Sequence, residues 1–139
     1  MSKLTPKLQE QQDRVHQLLI EIYPGNRIDR DANAETVLWV NSGPELLAAI
    51  KNLRIETGLQ MDRLSDVTAY DNIDGRDGPK RFVMVYQLYS MRFHARVRVK
   101  LAVADNETVP TLTSFWRTAN WLEREVYDMF GIPFEDHPD

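Results

Sequence analysis

The side chain with the clearest chemical potential is Glu123, which stands near the C-terminal end in an otherwise apolar helical arc. Residues of an α-helix follow one another at roughly 100°, and this spacing turns the Glu123 carboxyl toward the predicted core. A buried carboxylate needs hydrogen-bond donors or an opposite charge. Two interpretations follow: an ion pair with an arginine of the same domain, or a contact with a partner protein. Acid–base catalysis is disfavoured, because no nucleophile or second acid is placed with Glu123.

The opposite side of the same predicted helix brings Trp121, Arg124 and Asp128 together. The positions of Arg124 and Asp128 permit an ion pair along one helix face. A tryptophan beside an arginine on an outward face is typical of protein interfaces. We therefore predict that this face binds a partner. The predicted apolar arc comprises Trp116, Ala119, Leu122, Val126, Tyr127, Met129 and Phe130.

Metal, thiol and phosphate chemistry find little support in the residue pattern. His137 lies between Asp136 and Asp139, but these residues sit on a proline-containing tail without a scaffold, which disfavours a metal site. The chain has no cysteine, which excludes disulfides, thiol nucleophiles and cysteine-ligated iron–sulfur clusters. No glycine-rich phosphate loop or Ser-His-Asp arrangement is evident, so a free-standing enzyme is disfavoured.

Three helices and four strands are predicted to position these residues. The predicted helices begin at Thr5-Pro6, within 41–44 and at Phe115, and they end at Tyr23, Gly58 and Gly131. The predicted strands cover 36–40, 64–71, 81–91 and 95–104. Few residues separate the last two strands, so a hairpin is expected.

The order of these elements predicts an α+β fold. Because helices and strands alternate incompletely and a hairpin is present, we expect a mixed, largely antiparallel sheet with helices packed on one face. Residues 1–131 are predicted to form a single domain, followed by an extended tail at 132–139. The tail contains two prolines, and its apolar Ile132 and Phe134 are too few to build a core. We expect such a tail to dock onto another surface.

The strand at 95–104 alternates apolar residues with Arg96, Arg98 and Lys100. This pattern predicts one apolar and one basic face. The favoured interpretation is a solvated sheet edge protected by charge. An RNA-binding surface is the alternative, since Tyr86 and Tyr89 lie on the neighbouring strand.

Composition sets the outer limits on function. The chain has 139 residues, of which 42% are hydrophobic, and its formal net charge is −4. This length and composition are sufficient for one domain with a core, and the acidic balance does not favour nucleic acid. The sequence contains no apolar run of membrane-spanning length, and the N-terminus lacks the apolar core of a signal peptide.

The C-terminal residues resemble a known family, the thirty-kilodalton subunit of NADH:quinone oxidoreductase, the enzyme known as respiratory complex I. The resemblance is carried by 119–132 and by the closing His137-Pro138-Asp139. Segments 64–71 and 85–90 agree with it, and the resemblance extends over roughly 28–139. Its core is Glu123-Arg124-Glu125, then Asp128, then Gly131-Ile132.

The resemblance implies a peripheral-arm subunit that lies beside the large quinone-site subunit and has no catalytic residue of its own. It implies no bound cofactor, because NADH, quinone, FMN and iron–sulfur clusters belong to the assembled complex. It also implies a peripheral location on the cytoplasmic side of the bacterial plasma membrane. The equivalent subunit of a membrane-bound hydrogenase or of a plastid-type NADH dehydrogenase-like complex is the alternative.

The same resemblance suggests roles for individual residues. Partner binding is expected of Trp121, Arg124, Asp128, Phe134 and His137, and a structural role is expected of Glu123, Glu125 and Gly131. Members of the family continue beyond the His-Pro-Asp sequence, so a truncated docking segment is expected here.

Overall fold

The computed structural model describes residues 5–138. Three α-helices are formed: α1 (Pro6–Ile22), α2 (Gly43–Lys51) and α3 (Thr118–Phe130). A π-helical segment, Asn52–Glu56, continues α2. The strands are β1 (Ile28–Arg30), β2 (Thr36–Val40), β3 (Arg63–Asp71), β4 (Phe82–Ser90), β5 (Ala95–Val103), β6 (Val109–Pro110) and β7 (Phe134–Glu135). None of the helices within residues 5–138 is long and apolar enough to cross a membrane.

Local capping chemistry explains where the first two helices begin. The Thr5 hydroxyl accepts a hydrogen bond from the Leu8 N–H at 3.2 Å, and proline occupies the first helical position. The Ser42 hydroxyl accepts from the Glu45 N–H in the same way. Both starts were predicted. The predicted start of the last helix was early, since Phe115 and Trp116 form a turn on the Leu112 carbonyl before α3 begins.

The main sheet has the strand order β1-β2-β5-β4-β3. β2 and β5 run parallel, and the other neighbouring pairs run antiparallel. Buried side chains from all three helices join one core, including Leu19 of α1, Ile50 of α2 and Val126 of α3. The mixed, largely antiparallel α+β fold predicted from the sequence is confirmed. The sequence did not reveal β1, the π-helical segment or the small β6–β7 sheet.

The basic residues of β5 do not lie at a solvated sheet edge, because β5 is the central strand. Arg98 lies 3.2 Å from Asp31, and Arg96 lies 3.8 Å from Glu35. The Lys100 ammonium lies over the Trp39 ring at 5.4 Å. The predicted edge is therefore wrong, because the long-range pairing with β2 cannot be read from the local alternation of β5.

The face of the sheet away from the helices carries a small second cluster of buried residues, centred on Trp39. Arg27 and Lys100 both lie over the Trp39 ring, at 4.4 Å and 5.4 Å. Lys100 also lies over the ring of Tyr70, whose hydroxyl donates to Asp77 at 2.6 Å. Long side chains thus cover this face, as amphipathic residues can when their stems lie on apolar surface.

The C-terminal tail docks onto its own domain. Ile132 is only 2% exposed and belongs to the main core. Phe134 pairs with Val109 in the two-stranded parallel sheet of β6 and β7. The expectation that Ile132 and Phe134 contribute no core is therefore wrong, and the tail forms one wall of the cleft described next.

Candidate functional site

The strongest candidate site is a cleft between α3 and the C-terminal tail, with a volume of about 410 Å³. It is lined by Glu123, Arg124, Tyr127, Asp128, Pro133, Phe134 and His137. This cleft, called here the α3–tail cleft, brings together the predicted site residues Glu123, Arg124, Asp128, Phe134 and His137. Trp121 lies on the outer face of α3 and does not line it.

Gly131 creates the turn that separates the two walls. Its φ of 72° lies in the left-handed region, and its N–H donates to the Tyr127 carbonyl at 2.8 Å. Glycine adopts this conformation without the steric cost of a Cβ atom. The tail then turns back and is fixed where the Val109 N–H donates to the Pro133 carbonyl at 2.9 Å. The structural role predicted for Gly131 has this geometric basis.

Glu123 lies at the base of the cleft and is 0% exposed. Its carboxylate accepts from the Thr111 hydroxyl at 2.5 Å and from the Leu112 N–H at 2.8 Å, and His137 Nε2 lies 3.8 Å away. Burial raises the pKa of Glu123, while the bonds from Thr111 and Leu112 oppose that rise. The predicted burial is confirmed, but an arginine is not the partner. Glu123 instead joins α3 to the segment that follows β6.

Tyr86 on β4 is the second buried titratable group near this point. It is fully buried, and its hydroxyl has no hydrogen-bond partner among the described residues. Burial raises its pKa well above the ordinary value, and the nearby Glu123 carboxylate adds to the rise. Since buried polar groups normally have partners, the Tyr86 hydroxyl marks a spot where a small polar molecule such as water would be accommodated.

The tail residues His137 and Phe134 are held by their own domain. His137 is about 10% exposed, and its Nε2 donates to the Asn120 carbonyl at 3.1 Å. The Phe134 and His137 rings lie 6.4 Å apart between centroids. Within residues 5–138, no group of three or more metal-ligating side chains forms. Contacts of Phe134 and His137 with a partner stay a prediction.

The outer face of α3 exposes several large side chains. Trp121 is 63% exposed, Tyr127 is 55% exposed and Met129 is 76% exposed. The predicted apolar arc was therefore too wide, because Tyr127 and Met129 lie outside the core. Arg124 lies over the Trp121 ring at 5.9 Å, and the expected ion pair between Arg124 and Asp128 is not formed. Glu125 is exposed on the same helix.

A family model described as the respiratory-chain NADH dehydrogenase 30 Kd subunit matches residues 39–139, a range that contains the whole cleft. The chain belongs to this family. NADH-ubiquinone oxidoreductase subunit 9 of Reclinomonas americana is 38% identical over 122 residues, covering 87% of this chain and 58% of the relative. An NADH-quinone oxidoreductase subunit of Rhizobium meliloti (strain 1021) is 47% identical over 87 residues, covering 63% and 46%.

Solved structures agree with this membership of the 30 Kd subunit family. The trypsin-resistant fragment (1-134) of Nqo5 is 30% identical, with a TM-score of 0.78 over 91% of this chain and 98% of that one. A chain of the membrane-bound sulfane sulfur reductase, an archaeal respiratory membrane complex, has a TM-score of 0.64 at 19% identity, which shows a shared fold alone. The present chain spans about half the length of the curated relatives described above.

Sequence reasoning found most of the cleft and missed part of its lining. It placed Tyr127 in the core and gave no role to Thr111, Leu112 or Tyr86. The Glu123 carboxylate was a signal that donors must lie nearby, but their positions depend on the β6 turn. Thr111 and Leu112 lie in an irregular segment that carries no periodic pattern.

Proposed function

We propose that this chain is a non-redox subunit of the peripheral arm of a proton-translocating NADH:quinone oxidoreductase. In this proposal it holds the quinone-reducing module beside the large quinone-site subunit, on the cytoplasmic side of the bacterial plasma membrane. NADH, quinone, FMN and iron–sulfur clusters are bound by other subunits. The observation that carries the proposal is the family match over residues 39–139, which includes both walls of the α3–tail cleft.

The chemistry of the cleft supports a binding role over a catalytic one. Both Glu123 oxygens are engaged, by Thr111 and Leu112. A reacting acid or base needs geometric access to a substrate proton, and a fully buried carboxylate with these partners lacks it. The exposed Trp121 with Arg124 over its ring has the composition of an interface anchor.

Affinity purification tests the proposed function. The tagged protein is purified from membranes of cells that use it, and the co-purifying chains are identified by mass spectrometry. We expect NADH:quinone oxidoreductase subunits, including the large quinone-site subunit. Trp121→Ser should reduce their recovery at least tenfold, while Ile73→Ser, at an 87% exposed position outside the cleft, serves as the matched control. Recovery of hydrogenase subunits, or of no oxidoreductase subunit, would contradict the proposal.

The RNA-binding alternative has lost its structural basis. Arg96 and Arg98 lie beside Glu35 and Asp31, and Lys100 lies between the rings of Trp39 and Tyr70. The basic face that this alternative required is therefore committed to contacts inside the domain. RNA recognition would need those cations for phosphates.

A further inference from the structure

We propose that the α3–tail cleft receives a cationic side chain, arginine or lysine, from the partner protein. This inference rests on the proposed function, because the partner is taken to be a neighbouring subunit of the assembly. It adds the chemistry that the neighbouring subunit must present at this cleft.

The charge pattern of the cleft is the first observation behind this proposal. Asp128 on α3 is exposed at the cleft and makes no ion pair or hydrogen bond within residues 5–138. Glu123 adds a second carboxyl at the base. A cation entering between them would gain an opposite charge in a partly desolvated place, where such an interaction is stronger than at an open surface.

The cations already at the cleft occupy other positions. The Arg124 guanidinium lies over the Trp121 ring at 5.9 Å, toward the outer face of α3. His137 directs its Nε2 to the Asn120 carbonyl and lies 3.8 Å from Glu123. Both groups border the cleft, but these contacts do not involve Asp128. The carboxylate of Asp128 is therefore the group that a partner cation would meet first.

The walls of the cleft suit the stem and head of a long basic side chain. Tyr127 forms one wall and is 55% exposed, and Phe134 forms the facing part of the tail. Guanidinium and ammonium groups are attracted to aromatic ring faces, and their methylene stems pack on apolar surface. The volume of about 410 Å³ is sufficient for such a side chain.

Charge reversal in the assembled complex provides the first test. Tagged Asp128→Lys, Asp128→Asn and wild-type proteins are purified with their subunits and washed with increasing NaCl. We expect Asp128→Lys to retain at least tenfold less of the neighbouring subunit, and Asp128→Asn to show a smaller loss with weaker salt dependence. Glu10→Lys on α1 is the control, since it makes the same charge change at an exposed position outside residues 39–139.

Crosslinking identifies the occupant directly. A photoreactive phenylalanine analogue at Tyr127 should crosslink a partner peptide that contains arginine or lysine at the contact. Wild-type retention by Asp128→Lys, or a crosslinked peptide without a basic residue, would overturn the cation proposal and leave the proposed function standing. Failure of the wild-type protein to recover any oxidoreductase subunit would overturn both.

Discussion

At the scale of single residues, Glu123 is a buried acid held by neutral donors. Two replacements separate the roles of its charge and of its hydrogen bonds. Glutamine keeps an oxygen that can accept from the Leu112 N–H, and its amide can donate to the Thr111 hydroxyl, whereas alanine leaves the buried N–H without an acceptor. We expect Glu123→Ala to lower the free energy of unfolding by about 2 kcal/mol and Glu123→Gln to change it little at neutral pH. Urea unfolding of both variants measures this, and equal losses would show that the carboxylate charge is required.

The wild-type protein and Glu123→Gln together predict how stability depends on pH. Burial raises the pKa of Glu123 above its ordinary value of 4.5, so the folded protein holds the proton more tightly than the unfolded chain. Its contribution is therefore fully present below that ordinary value and is lost as pH rises through the folded pKa. Glu123→Gln should lack this loss, although His137 and Tyr86 face the same carboxyl and remain in both proteins. Unfolding curves at successive pH values test it, and parallel profiles for the two proteins would refute it.

How far the sequence predicts this site differs between its residues. The position of Glu123 within the helix periodicity correctly predicted its burial, because a helix face is a local property. The donors from Thr111 and Leu112 could not be predicted, since they depend on where β6 meets the tail. The exposure of Tyr127 was also missed, because periodicity does not define how wide the buried face is.

At the scale of elements, Gly131 ends α3 and directs the tail toward β6. Gly131→Ala should lower the free energy of unfolding by roughly 1 kcal/mol, since a Cβ atom is disfavoured in the left-handed region. Added atoms would meet nothing within 4 Å, so the loss should be purely conformational. Gly25→Ala has the same open surroundings without a positive φ and should be close to neutral. A chemical denaturation series compares the two, and equal effects would contradict the argument.

Ile132 tests whether the tail is an integral part of the fold. It is 2% exposed and packs in the main core, so Ile132→Ala should cost about 2–4 kcal/mol through lost burial and a new cavity. Ile55→Ala, at a 60% exposed position, is the matched control and should have a small effect. Thermal melts of both variants decide the matter. A tail that only touched the surface would leave the melting temperature unchanged in both.

The helices and long strands were predictable because each carries its own periodicity or cap. The β6–β7 pair was not, since strands this short are defined by their mutual hydrogen bonds and not by a pattern. The central place of β5 was likewise hidden. Its alternation was read correctly, but the identity of its neighbour β2 depends on residues far away in the chain.

At the scale of the whole molecule, the proposed function predicts a protein without its own redox group. The chain has no cysteine to ligate an iron–sulfur cluster. We expect the purified chain to be colourless, with no stoichiometric iron or flavin. Absorption spectra together with metal and flavin analysis measure this. A stoichiometric flavin or iron signal would contradict the proposal.

The outer face of α3 predicts a separation between folding and assembly. Arg124→Glu should change the free energy of unfolding of the isolated domain by less than about 0.5 kcal/mol, because Arg124 is exposed. In cells that lack the native subunit, the same variant should fail to restore the complex, since reversed charge in a desolvated interface is repulsive. Normal assembly would contradict the interface, and a collapsed melt would place this face in the core.

The parallel pairing of β2 with β5 also constrains when the chain can fold during synthesis. Leu38 and Val99 pair across about 60 residues of sequence, and the buried β2 lies between β1 and β5. The ribosome releases β2 well before β5 exists, so this apolar strand lacks its central neighbour until the β4–β5 hairpin has closed. Nascent chains that stop short of β5 should therefore bind chaperones through β2, and the N-terminal elements should become protease-resistant only when β5 has emerged.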